Sequence, residues 1–166
     1  LEAARVCAAR GHDVVVFEAA AHAGGQVRLA AQSSWRQDLL GIVDWRVSEL
    51  GHYGVEIRYN LYAQVEDVMA RSPDLVIVAT GGVPNLDGLP GNEHVTSAWD
   101  ILGGAVPPGE DVLVVDGTGR HVALTAAEAC AGAGAKVRFV TVDESLAQEQ
   151  AYAERLIWRK WARTHD

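Results

Sequence analysis

Leu1-Glu2-Ala3-Ala4-Arg5-Val6-Cys7-Ala8-Ala9-Arg10-Gly11-His12 runs into Asp13-Val14-Val15-Val16-Phe17-Glu18, and Gly24-Gly25-Gln26 follows. The Ala-rich start predicts a helix over 1–10 with Gly11 as its C-cap. Val14-Val15-Val16-Phe17 predicts a short strand, and its unbroken apolar run suits a parallel strand covered on both faces. Helix, strand and strand-end acid form the middle of a dinucleotide-binding βαβ unit. The first strand and its glycine loop are not in the sequence, and no Met precedes Leu1. The chain therefore reads as a piece of a larger enzyme whose N-terminal edge cuts through a nucleotide site. Its first sheet is expected to lack a central strand, and the piece alone to bind nucleotide weakly or not at all.

The same alternation continues outward. Residues 19–34 read as a loop. Trp35, Leu39, Ile42, Val43, Val47 and Leu50 fall on one helical stripe, stopped by Gly51 and Gly54. Val55–Tyr59 is a second strand and 63–70 a short helix. Asp74-Leu75-Val76-Ile77-Val78-Ala79 reads as another buried strand, ending in Thr80-Gly81-Gly82. A turn-rich stretch with Pro84, Gly88, Pro90 and Gly91 follows, then a helical turn near 96–102 and a junction at Pro107-Pro108-Gly109. Beyond it come a strand at 111–115, a helix at 122–133, a strand at 136–142 and a helical tail over 147–162.

Strands alternating with helices predict an α/β fold with parallel sheets. The expected architecture is two Rossmann-like modules of FAD/NAD(P)-binding type, the first lacking its N-terminal strand. We read 1–83 as a truncated FAD/ADP-binding-like module, 84–109 as a connection, and 110–166 as an incomplete NAD(P)-like module.

Glu18 stands at a strand's carboxyl end, where a carboxylate can accept both hydroxyls of a ribose diol. Gly24 and Gly25 let backbone pass close to a phosphate or ribose, and Gln26 is placed to bond a ligand or cap the turn. Thr80, Gly81 and Gly82 follow a strand at the sheet edge where ligands collect in open α/β folds. These seven are the candidate cofactor-binding residues. The second module is weaker. After Val112–Val115 a GxGxxG is expected, but the chain has Asp116-Gly117-Thr118-Gly119-Arg120-His121-Val122, with Val122 in place of the third glycine. Gly117, Gly119 and Thr141 are secondary candidates. No Arg at the end of the following strand receives a 2′-phosphate, so a nucleotide fold without its nucleotide is the favoured reading there.

The 166 residues carry a net charge of −8 and no dominant basic stretch, which argues against nucleic-acid binding. No apolar run approaches the ~20 residues of a membrane helix. Two cysteines, Cys7 and Cys130, fit neither a redox pair nor a metal site. They read as buried helical thiols in a reducing cytoplasm. The six histidines show no ligand spacing, and neither a metal site nor a catalytic triad is legible. The tail residues Arg155, Trp158, Arg159, Lys160, Trp161 and Arg163 suggest either a partner surface or, preferably, tryptophans docked on a further domain.

Together, Leu1–Arg5, Arg10-Gly11-His12, Val16-Phe17-Glu18, Gly24-Gly25-Gln26, Ala79–Pro84 and Pro90-Gly91 resemble the C-terminal half of the trimethylamine dehydrogenase, histamine dehydrogenase and 2,4-dienoyl-CoA reductase family. The resemblance covers nearly the whole chain. It implies a full-length, homo-oligomeric flavoprotein oxidoreductase with an N-terminal TIM barrel carrying FMN and a 4Fe–4S cluster. The reductase branch holds FAD and NADPH in the half resembled here. The amine dehydrogenase branch holds only ADP and passes electrons to an electron-transfer flavoprotein. The degraded second fingerprint fits the amine branch better. Glu18 would then hold the adenosine ribose, with Gly24, Gly25 and Gln26 lining the site. The expected function is a nucleotide-binding part of an amine-dehydrogenase-like enzyme, binding ADP or FAD here. The alternatives are an NAD(P)H-dependent enoyl or dienoyl reductase with FAD, and a ligand-free structural domain. The piece by itself is expected to be inactive.

Overall fold

A computed structural model describes residues 1–87 and 90–165; Gly88, named above as a turn residue, lies outside them. The chain forms two compact units. One is Leu1–Ala31 with Gln37–Gly82, the other Gln32–Arg36 with Val83–Asp166.

The first unit contains α1 (Glu2–Ala9), β1 (Val15–Phe17), α2 (Gln26–Ala30), α3 (Leu40–His52), β2 (Glu56–Arg58) and α4 (Val65–Met69). β1 and β2 pair in parallel, with Val16 opposite Ile57. The pairing runs on past the strands: Glu18 N–H donates to Arg58 C=O at 2.9 Å and Leu61 N–H donates to Glu18 C=O at 3.0 Å. Parallel neighbours need a crossover, and α3 lies within it. α1 packs on α3, and Glu2 on α1 reaches both Arg5 (2.7 Å) and Arg46 of α3 (3.0 Å). α3 buries Val43 and Leu50.

Several sequence expectations change in this unit. The segment read as a loop over 19–34 contains α2. The stripe expected over 35–50 starts later: a 3-10 turn at Gln37–Leu39 precedes α3, and Ile42 is exposed. Trp35 belongs to the other unit, where burial of its ring outweighs the helical period it happens to match. Val15 is exposed, so β1 is not covered on both faces. The largest departure is the strand expected at 74–79. Among the described residues this run pairs with no strand, and Leu75, Val76, Ile77 and Val78 are 48–79% exposed. Strand propensity fits a residue to a pleated, half-buried surface; without a ladder partner the apolar run has no such surface.

The second unit contains α5 (Ala98–Leu102), β3 (Asp111–Asp116), α6 (His121–Gly132), β4 (Lys136–Thr141) and α7 (Tyr152–Thr164). β3 and β4 pair in parallel from Asp111 opposite Lys136 to Asp116 opposite Thr141. α6 packs on both strands and on α5. Its small residues Ala123, Ala126 and Ala127, with Leu124 and Cys130, are buried, which lets helix and sheet approach closely. The core is Leu124, Ala147 and Trp158, flanked by Trp35, Phe139, Leu146 and Trp161. The Trp35 and Trp158 rings meet edge to face, 5.8 Å between centroids, a favoured aromatic geometry. Ser34 Oγ donates to Glu128 of α6 at 2.5 Å and holds the 32–36 segment in place. The tail helix starts at Tyr152 rather than 147, because Ala147 takes a left-handed φ of +61°. Cys130 is buried and burial pushes its thiol up; Cys7, expected to be buried, is partly exposed.

His121 opens α6, its ring 6.3 Å from Trp35 and its Nε2 3.7 Å from Glu154. Burial, then the nearby Arg36 charge, hold its pKa below the usual imidazole value against the pull of Glu154. The unfolded chain therefore takes up this proton at higher pH than the folded one. The neutral ring's contribution is intact above about pH 6.5 and is lost as pH falls below it. Thermal melts should show wild type losing more stability than His121→Gln between about pH 7 and 5; parallel curves would contradict this. Trp158, at 0% exposure, sets the second unit's packing. Trp158→Ala should cost about 3–5 kcal/mol in urea unfolding, while Tyr62→Ala, on the surface, stays within about 0.5 kcal/mol of wild type.

Candidate functional site

The loop after β1 is built by backbone conformations that favour glycine. Gly24 has φ +120° and Gly25 φ +47°. A Cβ on Gly24 would lie 3.0 Å from Arg28 Cγ and from both Val43 methyls, so the loop is pressed onto α2 and α3 with no room for a side chain. Gly25 then caps α2, and Gln26 is its first residue. Gly81 also has a left-handed φ, +75°, and the Gln26 amide nitrogen lies 3.7 Å from where a Gly81 Cβ would stand. The fold thus brings together two of the expected pieces, Gly24-Gly25-Gln26 and Thr80-Gly81-Gly82. Thr80, Gly81 and Gly82 are exposed.

Glu18 lies just beyond β1, half-buried. Its Oε1 accepts the Ala20 N–H at 2.9 Å. No other hydrogen bond to its carboxylate occurs among the described residues, which leaves lone pairs available for a diol.

Beside the glycine loop lies an open cleft of about 340 Å³, lined by His22, Arg28, Asp44, Ser48 and Tyr59 among others. Sequence reading left these residues out. His22 looked like one of several loop histidines, and Arg28 carried no motif. A base two residues beyond Gly-Gly-Gln, on the helix the glycines cap, was the available signal.

The second loop is arranged differently. Asp116 ends β3 and is 1% exposed. Its Oδ1 accepts from Thr118 N–H (2.9 Å), Thr118 Oγ1 (3.1 Å) and Gly119 N–H (3.1 Å). Gly119 is buried with φ +63°; a Cβ there would overlap the Asp143 carboxylate and sit 3.1 Å from Glu149 Cγ. A Cβ on Gly117 would stand in open space. The Thr141 hydroxyl accepts Asp143 N–H at 3.1 Å within its own turn.

Among the described residues no group of three His, Cys, Asp or Glu is arranged to hold a metal, and no helix is long and apolar enough to cross a membrane. A 4Fe–4S cluster takes four thiolates; this chain has two cysteines, one in each unit.

No family model matches the chain. Curated relatives do. It is 55% identical over 149 residues to a multifunctional alkene reductase/demethylase of Caballeronia cordobensis, covering 90% of this chain and 22% of that protein. It is 53% identical over 150 residues to a probable N-methylproline demethylase of Rhizobium meliloti, again covering 90% and 22%. The fold is also similar to that of a 2-naphthoyl-CoA reductase in complex with 2-naphthoyl-CoA, with a TM-score of 0.90 and 28% identity over 98% of this chain and 25% of that one. The chain spans about a fifth of the length of the curated relatives it matches. These likenesses agree with one another: the homologues of this chain are flavoenzymes of the trimethylamine dehydrogenase and old yellow enzyme-like family.

Proposed function

We propose that the first unit, as the FAD/ADP-binding-like module of 1–83, holds ADP or the ADP half of FAD within a larger flavoenzyme. The observation that carries this is the pair of left-handed glycines, Gly24 packed against Arg28 and Val43 and Gly25 open beside it, with Gln26 turned toward Gly81. A backbone without side chains here can lie against a phosphate or ribose. Glu18 accepts the ribose hydroxyls, Gln26 donates from its amide, and Thr80, Gly81 and Gly82 form the opposing wall. Arg28 supplies the cation nearest the glycines. The bound flavins of the whole enzyme supply the electron chemistry; this chain's residues bind and orient.

In this reading the enzyme is amine-dehydrogenase-like and delivers electrons to an acceptor such as an electron-transfer flavoprotein. The likeness to a probable N-methylproline demethylase supports this branch. The FMN, the 4Fe–4S cluster and the substrate base belong to a barrel domain outside this chain, in a homo-oligomeric cytoplasmic enzyme. The exposed apolar run 75–78 fits the same picture, since a strand supplied by the rest of a larger enzyme would give it a ladder.

A second reading, an NAD(P)H-dependent enoyl or dienoyl reductase with FAD, is favoured by the likeness to 2-naphthoyl-CoA reductase. It requires the second unit, the NAD(P)-like module of 110–166, to take the nicotinamide nucleotide through Gly117, Gly119 and Thr141.

The test is calorimetric titration of the whole enzyme, stripped of nucleotide, with ADP, FAD and NADH. ADP or FAD should bind, and Glu18→Ala should weaken binding by about 10–100-fold, the loss of hydrogen bonds to a charged group. Absence of ADP and FAD binding by wild type would favour a ligand-free structural domain, and tight NADH binding the reductase. The 166 residues alone should show no turnover; substrate oxidation by them would contradict the reading.

A further inference from the structure

A nucleotide loop at a parallel strand's end works through backbone donors: the loop N–H groups and the first N–H groups of the following helix point at a phosphate. In the second unit four of those donors, the N–H groups of Thr118, Gly119, Arg120 and His121, already have acceptors. Asp116 Oδ1 takes the N–H of Thr118 and of Gly119. At the start of α6 the Gln150 side chain, oriented so that its amide oxygen faces a donor, accepts His121 N–H at 2.9 Å while its nitrogen donates to Glu154 at 3.0 Å. The segment before α7 closes over the same loop: Glu149 N–H donates to Gly119 C=O at 3.1 Å. Carboxylates also crowd the loop itself, although Arg36 lies close to His121 at the helix start. Asp116 Oδ2 and Asp143 Oδ2 are buried without hydrogen-bond partners, and Glu149 packs on Gly119.

We propose that the Asp116 carboxylate is the resident anion of this loop, a specificity-determining residue that closes the second unit to the pyrophosphate of a dinucleotide. Its oxygen does for Thr118 and Gly119 what a phosphate oxygen would do. Gln150 does the same for the helix start, and the chain between β4 and α7 covers the result. The third-glycine position matters less than this occupancy. A glycine at 122 would leave the Asp116 bonds untouched. This inference does not depend on whether ADP or FAD occupies the first unit.

Hydrogen–deuterium exchange of the whole enzyme, read at the peptide spanning 112–124, tests it. Millimolar NADH, NADPH or inorganic pyrophosphate should leave that peptide's exchange unchanged in wild type. Asp116→Ala should speed exchange at Thr118 and Gly119 about tenfold or more, from losing bonds to a charged acceptor. Asp116→Asn, whose amide oxygen accepts the same two N–H groups, should stay close to wild type. Protection of the peptide by any of the three probes in wild type would overturn the proposal, as would unchanged exchange in the Ala variant. The wild-type arm decides even if the Ala variant fails to fold. Nucleotide binding in the first unit is read from separate peptides around 15–30, so failure there leaves this result standing.

Discussion

Backbone donors left at the carboxyl end of a parallel strand must find acceptors, and each half of this chain meets that constraint in its own way. After β3 the chain supplies its own. Asp116 turns back on the loop it precedes, and Gln150 meets the start of α6. After β1 the acid comes one residue past the strand and, among the described residues, engages only Ala20 N–H, and Gly24 beyond it is held against α2 and α3. One loop is filled from within; in the proposed reading the other receives a nucleotide.

This difference bears on how a family of shared architecture divides its chemistry. Relatives of this chain include demethylases and reductases, and similarity of fold does not say which nucleotide reaches which loop. Local acceptors do. A carboxylate in contact with loop amides competes with phosphate for the same N–H groups and repels it at the same time. On the proposal made above, a single residue at a strand end closes a loop to a dinucleotide without altering the sheet or the helix that packs on it.

Much of the fold was legible. β2, β3, β4 and α6 fall within a residue or two of their expected bounds, because short apolar runs bounded by glycine and helical Ala-rich stretches carry their own punctuation. The resemblance to these flavoenzymes was also legible from the motifs around Glu18, Gly24 and Gly81. The misses share a physical cause. Leu75–Val78 has a strand's composition, but a strand exists by virtue of its partner. Trp35 matches the period of α3, yet its ring buries beside Trp158. The second fingerprint read as degraded at Val122 alone, whereas Asp116 just before it makes hydrogen bonds to residues two and three ahead. The cleft with Arg28 and Tyr59 depends on residues over 30 positions apart, which spacing alone does not connect.

The central claim is that one nucleotide site in this chain is open and the other closed. Acid release of bound nucleotide from the purified whole enzyme, quantified by chromatography against protein, measures this directly. The account predicts one adenine nucleotide, as ADP or FAD, per chain in wild type and in Asp116→Asn, and its loss in Glu18→Ala. Two equivalents per chain, or one that survives Glu18→Ala and vanishes on substitution of Asp116, would contradict it.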